Sequence, residues 1–147
     1  MTAPTTDDLL RLDNQLCFAL VTAARNVVAI YRPILEPLGL THPQYLVMLA
    51  LWEESPRSLR ALAEALAMDP ATASPLVKRL EADGLIERRR SEQDERRLDI
   101  ALTSKGVALR ARAVDVPRRV MARLGLTIPE LEAVRDALVR FAGAVEL

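Results

Sequence analysis

Five arginines within ten residues form the densest group of side chains that could bind a charged partner; they are Arg88, Arg89, Arg90, Arg96 and Arg97. Guanidinium groups bind phosphate oxygens through charge-assisted and often paired hydrogen bonds. The group could therefore hold the backbone of a nucleic acid. The alternative is a solvated hairpin whose arginines pair with the acidic residues around them, which are Glu87, Glu92, Asp94 and Glu95. The elements that precede the arginines decide between the two.

Few other residues could do covalent or metal chemistry. The chain has one cysteine, Cys17, and one histidine, His42. It has no Gly-rich phosphate loop, nucleophile elbow or cluster of metal ligands in its sequence. We therefore expect no enzyme, no metal and no cofactor; a thiol peroxidase acting through Cys17 is the one enzyme class with any support. Because a single cysteine cannot form an intrachain disulfide, we also expect a cytoplasmic location.

Two amphipathic segments lead up to the arginines. In the first, apolar residues recur at helical spacing, at Leu59, Leu62, Ala63 and Leu66. Asp69 and Pro70 predict the start of the second helix, because an acidic N-cap and a proline at the first helical position both favour helix initiation. Gly84 predicts its end. This order of elements is typical of a helix-turn-helix.

The second helix, residues 70–82, divides into two faces. Its apolar stripe consists of Ala73, Leu76, Val77 and Leu80, and its other face carries Thr72, Ser74, Pro75, Lys78 and Arg79. We predict that the second face is the DNA-reading one. Thr72 and Pro75 are expected to contact base edges, and Lys78 and Arg79 to reach phosphates. Pro75 should bend the helix locally, because it removes one hydrogen bond.

After Gly84 the repeat of apolar positions changes from about 3.6 residues to 2 residues, which indicates strands. Leu98, Ile100 and Leu102 alternate with Arg97, Asp99 and Ala101, and the polar residues 91–96 form the tip of a hairpin. Two helices followed by such a hairpin predict a winged helix-turn-helix. In that fold one helix enters the major groove and the hairpin reaches the flanking backbone or minor groove. The chain is therefore expected to bind double-stranded DNA.

The overall charge is an objection to this interpretation. The chain carries 20 basic and 20 acidic residues, and its sequence pI is about 6.6. Nucleic-acid-binding domains are usually basic. We therefore expect the charge to be segregated, with a basic face within residues 57–97. No apolar run approaches the ~20 residues of a membrane span, and the N-terminus lacks the features of a signal peptide, so we expect no membrane association.

The terminal segments are apolar and helical. Residues 8–31 form one long pattern whose apolar band is too wide for a helix with a single packing partner. A second helical region covers residues 104–124, and Thr127 with Glu130 predicts a capping box for a last helix carrying Leu131, Val134, Leu138, Phe141 and Val145. Such apolar ends favour a homodimer, which also suits a pseudo-palindromic operator with two half-sites.

The expected architecture is a single domain over residues 1–147, mainly α with a small β-wing. Residues 8–40 and 104–147 are the dimerisation helices, and residues 43–102 are the winged helix-turn-helix lobe.

The chain resembles the MarR family of bacterial transcription regulators in its turn and wing. The matching segments are Leu-Glu-Ala-Asp-Gly-Leu-Ile-Glu-Arg at residues 80–88 and Asp-Glu-Arg-Arg at residues 94–97. The N-terminal half is similar to the organic-hydroperoxide-responsive (OhrR-type) repressors of that family, in residues 12–18, 31–35 and 40–52. Asn-Gln-Leu-Cys-Phe at residues 14–18 is the most specific of these segments.

The resemblance implies a role for Cys17 as the redox sensor. In the one-cysteine branch, an organic hydroperoxide oxidises this residue to a sulfenic acid, a small cellular thiol caps it, and the repressor leaves DNA. Two tyrosines of the family hydrogen-bond the sensor across the dimer. One of them corresponds to Tyr31, and the position of the other is occupied by His42 here. A third residue near the sensor, often aromatic in the family, is Val21 in this chain. Tyr31 lies ~21 Å from Cys17 along a helix, so the two residues cannot touch within one chain, but an antiparallel neighbour could bring them together.

The resemblance also assigns residues of the wing. It makes Arg96 the wing-tip residue inserted in the minor groove, with Asp94 holding it in place, and we add Arg88 as a further DNA contact. Narrow minor grooves attract arginine through their negative potential.

Several alternatives remain open. Cys17 could be a small buried hydrophobe on an apolar helix. His42 could belong only to a helix start, with Thr41 as the N-cap and Pro43 at the first helical position. The regulator could respond to a small apolar or phenolic ligand between the dimerisation helices and the DNA-binding lobe. It could also be a structural dimer with a degenerate winged helix.

Overall fold

The computed structural model describes residues 2–142. In these residues the helices are α1 (Thr6–Leu9), α2 (Leu16–Leu35), α3 (His42–Glu53), α4 (Leu59–Ala65), α5 (Pro70–Ala82), α6 (Ser104–Ala113), α7 (Val116–Leu124) and α8 (Ile128–Ala142). The strands are β1 (Arg57–Ser58), β2 (Ile86–Arg90) and β3 (Leu98–Leu102). The prediction of a mainly helical fold with a small β-wing is confirmed. Val145, predicted on the last helical stripe, lies outside the described residues.

The chain divides into two compact units. One comprises the described parts of Met1–Ile34 and Pro117–Leu147, and the other is Leu35–Val116. The second unit contains α3 to α6 and all three strands. Dimerisation through the helices of the first unit stays a prediction.

The core of the second unit is built from one face of each helix. Its fully buried side chains include Val47, Met48, Leu51, Leu62, Val77, Leu80 and Ile86. Ser58 caps α4, because its hydroxyl accepts the amide of Ala61 at 3.1 Å. α5 begins at Pro70 and ends at Ala82, as predicted, but Asp69 makes no side-chain cap bond. Proline at the first helical position therefore marks this helix start without help from a carboxylate.

The sheet has one strand more than the sequence indicated. β3 is the central strand of the order β1-β3-β2, and both pairings are antiparallel. β1 has only two residues, too few for a period-2 pattern, and only its pairing with β3 defines it.

Burial along β3 also does not alternate in the way that the sequence predicted. Leu98 is exposed, whereas Asp99 is buried. Leu98 pairs with Arg90 at the end of the ladder, beyond the reach of β1. Asp99 lies opposite Ser58 and forms an ion pair with Arg97 at 3.1 Å. A paired carboxylate is one of the few charged groups that tolerate burial.

The single long N-terminal pattern predicted for residues 8–31 is wrong in its boundaries. The long helix α2 starts only at Leu16 and runs to Leu35, after the short α1 and a 3-10 turn at Leu12–Asn14. The side-chain amide of Asn14 donates to the carbonyl of Asp8 at 2.6 Å, and that of Gln15 donates to the carbonyl of Leu9 at 2.9 Å. These bonds satisfy carbonyls of α1 from outside, so the chain turns instead of continuing as one helix.

The C-terminal helices follow the predicted signals with one interruption. The region 104–124 is split into α6 and α7, with Pro117 at the second position of α7. A proline there cannot donate to the carbonyl four residues back, which favours a break. Half of the capping box predicted for α8 is present, because the Glu130 amide donates to the Thr127 hydroxyl oxygen at 3.3 Å. The Glu130 carboxylate accepts a bond from the Thr127 hydroxyl at 3.0 Å, not the bond from the Thr127 amide that would complete the box.

The helical segment Leu16–Leu38 is long and apolar enough to cross a membrane by length and composition alone. The argument that no apolar run is long enough is therefore wrong. Core helices of water-soluble proteins pass the same test, so one such helix is weak evidence for a membrane span.

Candidate functional site

α5 presents the predicted DNA-reading face to solvent. Thr72, Pro75, Lys78 and Arg79 are exposed, and Ser74 is half-buried. The opposite side of the helix is packed in the core through Ala73, Val77 and Leu80, which are almost fully buried. The helix continues through Pro75 without interruption. A helix with a polar outer face and a packed inner face is what a recognition helix requires.

The wing arginines are not paired in the way that the solvated-hairpin alternative requires. Within residues 2–142, the ion pairs of this cluster are Arg88 with Glu81 at 3.7 Å and Arg97 with Asp99 at 3.1 Å. Neither acid is among the four neighbours that the sequence suggested. In the same part of the chain, no carboxylate lies within ion-pair distance of Arg89, Arg90 or Arg96, and all three residues are exposed. Three guanidinium groups on the wing are therefore available for an external anion.

Asp94 orders the backbone of the wing tip next to Arg96. One of its carboxylate oxygens accepts the amide of Arg96 at 3.0 Å, and its carbonyl oxygen accepts the amide of Arg97 at 3.0 Å. The tip therefore turns around Asp94, which leaves the Arg96 side chain exposed at the end of the hairpin.

Sequence reasoning missed two buried polar residues of the wing. Ser91 and Asp99 are 5% and 7% exposed. The hydroxyl oxygen of Ser91 accepts the amides of Gln93 and Asp94 and the guanidinium of Arg97, at 3.2, 3.3 and 3.3 Å. The only signal in the sequence was a serine directly after a strand, which is too common to single out.

Cys17 lies in the first turn of α2, where it is the second residue, and its side chain is exposed. In the single chain the thiol is therefore not buried as the alternative of a small hydrophobe would have it. The preceding Asn14 and Gln15 hold the segment in front of the helix through their side-chain bonds to Asp8 and Leu9. The Asn-Gln part of the motif thus has a structural role, which is to fix the start of the helix that carries the thiol.

Tyr31 lies on the same helix as Cys17, fourteen residues further on, and is half-buried. Burial raises the pKa of its phenol, so the hydroxyl keeps its proton at neutral pH and can donate a hydrogen bond. Two residues fourteen positions apart on a helix are ~21 Å apart and do not meet within one chain.

His42 belongs to the other unit and is the first residue of α3. Thr41 caps this helix in a capping box with Gln44, so Pro43 occupies the second helical position, one later than predicted. Burial lowers the pKa of the half-buried imidazole below its ordinary value of 6.5. The ring is therefore neutral at pH 7, with one nitrogen as a donor and the other as an acceptor.

Comparisons with known proteins agree with this arrangement. Residues 40–98 match the MarR family model. Over 131 residues, 89% of each chain, the sequence is 40% identical to the organic hydroperoxide resistance transcriptional regulator of Bacillus subtilis strain 168.

Two solved structures with the same fold hold different partners, one DNA and the other a small molecule. Reduced AbfR of Staphylococcus epidermidis bound to DNA aligns with a TM-score of 0.76 and 32% identity, over 96% of this chain and 99% of that one. CouR from Rhodococcus jostii RHA1 bound to p-coumaroyl-CoA aligns with a TM-score of 0.75 and 28% identity, over 90% of this chain and 95% of that one. The chain belongs to the MarR family of DNA-binding transcriptional regulators.

Proposed function

We propose that this regulator is a cytoplasmic homodimeric repressor that leaves its pseudo-palindromic operator when an organic hydroperoxide oxidises Cys17. The observation that carries the proposal is the exposed thiol of the chain's one cysteine in the first turn of α2. The 40% identity to a regulator named for organic hydroperoxide resistance supports the same chemistry.

The proposed reaction needs only the thiol and two small reactants. The Cys17 thiolate attacks one peroxide oxygen, the O–O bond breaks, and the products are a cysteine sulfenic acid and an alcohol. A low-molecular-weight thiol then attacks the sulfenic sulfur, which gives a mixed disulfide and releases water. The sulfur is oxidised by two electrons, and the peroxide is the species reduced.

The start of a helix favours this chemistry. Amides in the first turn lack intrahelical partners, so they can donate hydrogen bonds to a peroxide or sulfenate oxygen. Asp13, the nearest acidic residue before the thiol, forms an ion pair with Arg11 at 3.2 Å. Its negative charge is therefore partly balanced by Arg11.

In the proposed dimer, an antiparallel α2 from the second subunit brings Tyr31 close to Cys17. The protonated phenol can then donate a hydrogen bond to the sulfur or to a sulfenate oxygen. We assign His42 to the same cluster as a neutral hydrogen-bonding group. Its lowered pKa argues for this form over an imidazolium cation at pH 7.

For DNA, we propose that α5 enters the major groove. Thr72, Ser74 and Pro75 are placed at base edges, and Lys78, Arg79 and Arg88 at phosphates. Arg96 enters the minor groove next to each half-site, held by Asp94. The exposed face of α5 and the unpaired wing guanidinium groups support this arrangement.

The second candidate is release by a small apolar or phenolic ligand without cysteine chemistry. The alignment with CouR, a protein solved with p-coumaroyl-CoA, favours it. The two candidates share the DNA-binding surface and differ in whether the thiol is needed for release.

Fluorescence anisotropy on a duplex that the protein selects from a random pool tests both candidates. Wild type and Cys17→Ser are titrated with and without cumene hydroperoxide plus a small thiol. Release of wild type alone supports the redox proposal. If both proteins stay bound, the redox proposal fails, and a screen of phenolic compounds that releases both proteins equally would support the ligand candidate.

A further inference from the structure

The wing contains a buried hydroxyl that organises its tip. Ser91 follows the last residue of β2, and its amide donates to the carbonyl of Arg97 at 2.9 Å, which closes the hairpin. Its side chain is almost inaccessible to solvent, although the residues that follow it, 92–98, are all exposed. A buried hydroxyl in an otherwise solvated loop indicates that its hydrogen bonds matter for the loop's shape.

The hydrogen bonds of Ser91 lead to Arg96 in two steps. Its hydroxyl oxygen accepts the amide of Asp94 at 3.3 Å, and the carboxylate of Asp94 accepts the amide of Arg96 at 3.0 Å. The first bond fixes the backbone of Asp94, and the second fixes the backbone of Arg96.

A side-chain network anchors the same hydroxyl to the sheet. Arg97 donates to the Ser91 hydroxyl through Nη2 at 3.3 Å and to Asp99 through Nε at 3.1 Å. Asp99 lies on the central strand, opposite Ser58 of β1. The wing tip is thus connected to the central strand of the sheet through two nitrogen atoms of Arg97.

We propose that Ser91 is a positioning residue for DNA binding, which orients Arg96 through Asp94 and the Arg97–Asp99 pair. This inference rests on the proposed role of Arg96 in the minor groove. A side chain placed by its own backbone enters a groove with less loss of conformational entropy than one on a mobile loop. Removal of the hydroxyl should therefore weaken the recognition of a preferred site more than general attraction to DNA.

The test compares Ser91→Thr with Ser91→Val, two variants of nearly equal shape that differ in the hydroxyl. Both replacements add one heavy atom to Ser91, which lines a pocket of about 530 Å³ together with Pro56 and Arg57. Ser104→Ala, an exposed serine outside the wing, controls for the loss of a hydroxyl elsewhere. Thermal melts followed by the fluorescence of Trp52, the one tryptophan, verify that each variant is folded.

Affinity is measured on the selected duplex and on a scrambled duplex of the same length. We expect Ser91→Val to weaken binding to the selected duplex about fivefold or more and binding to the scrambled duplex less than about twofold. Ser91→Thr and Ser104→Ala should bind as wild type does. Equal losses on both duplexes, or no difference between the Thr and Val variants, would overturn the proposal.

A double-variant cycle tests whether Ser91 acts through Arg96. In an Arg96→Ala background, Ser91→Val should cost no further affinity, whereas additive losses would contradict the proposal. If Arg96→Ala itself binds the selected duplex normally, the proposed role of the wing fails and this inference fails with it. If Arg96→Ala weakens binding and Ser91→Val does not, only the inference about Ser91 is overturned.

Discussion

The indole nitrogen of Trp52 donates a hydrogen bond of 2.9 Å to the carbonyl oxygen of Gly106. This bond joins the C-terminal half of α3 to the first turn of α6. A β-carbon on Gly106 would come within 2.1 Å of the carbonyl oxygen of Leu85, the residue just before β2. The second unit therefore has a junction of three elements at which the backbone of α6 must approach closely.

Gly106→Ala should destabilise the protein by about 3 kcal/mol, because overpacking against a backbone atom leaves no side chain that can move away. Urea unfolding followed by Trp52 fluorescence measures this loss. Ser104→Ala, in the same helical turn but exposed, is the control and should change stability by less than about 0.5 kcal/mol. A Gly106→Ala protein as stable as the control would contradict the geometry of the junction.

Ala67→Gly should stabilise the protein by about 0.5–1 kcal/mol. Ala67 lies in the turn between α4 and α5 at a φ of +54°, a left-handed conformation that costs an alanine more than it costs glycine. Part of the gain is offset by the greater freedom of glycine in the unfolded chain. Ala108→Gly, at an exposed helical position in α6, should instead destabilise by about 1 kcal/mol. If the urea midpoints of both variants shift in the same direction relative to wild type, this explanation is wrong.

The helix-turn-helix could be predicted from the sequence because its signals are local. Pro70 and Gly84 each mark a boundary within one or two residues. The break before α2 could not be predicted in this way, because it depends on Asn14 and Gln15 reaching back six residues. β1 was missed for the same reason, since a two-residue strand is defined only by a partner more than forty residues later in the chain.

The candidate sites show the same division between local and distant causes. The outer face of α5 followed from helical periodicity alone. The wing network did not, because a serine such as Ser91 becomes significant only when it is buried. Alternation likewise predicted an exposed Asp99, but its ion pair with Arg97 permits burial.

Stability should depend on pH through His42. Burial makes the folded-state pKa lower than the unfolded value of 6.5, so the unfolded chain binds the proton more readily. The contribution of neutral His42 to the free energy of unfolding is fully present above pH 6.5. It is lost as the pH falls through the lower pKa of the folded state. Urea melts of wild type and His42→Gln at pH 7.5 and pH 5.5 measure it, because the other titrating groups are shared. Wild type should lose more stability than the variant; an equal loss would contradict the lowered pKa.

Arg96→Ala should weaken DNA binding by an order of magnitude or more, and Arg88→Ala by only about two- to threefold. Both remove one guanidinium from the wing, but Arg88 is paired with Glu81 at 3.7 Å and must give up that contact to reach a phosphate. Anisotropy titrations at two salt concentrations compare the two variants directly. Equal losses would mean that the ion pair does not limit Arg88. An unchanged affinity of Arg96→Ala at low salt would contradict its assignment to the minor groove.

Leu138→Glu should dissociate the proposed dimer. Val134, Leu138 and Phe141 form an apolar stripe along α8, and they are 50%, 42% and 46% exposed in the single chain. Burying such a stripe against a second subunit would gain about 25 cal/mol per Å² of apolar surface, and an unpaired carboxylate placed there would oppose it. Val139→Glu is the matched control, because Val139 is also exposed but lies off the stripe. Sedimentation equilibrium should show monomers for Leu138→Glu and dimers for wild type and the control.

The monomer should also bind a two-half-site duplex no more tightly than a single half-site, since the gain from simultaneous contact is lost. Dimers that persist in Leu138→Glu would mean that this face of α8 is not at the subunit interface.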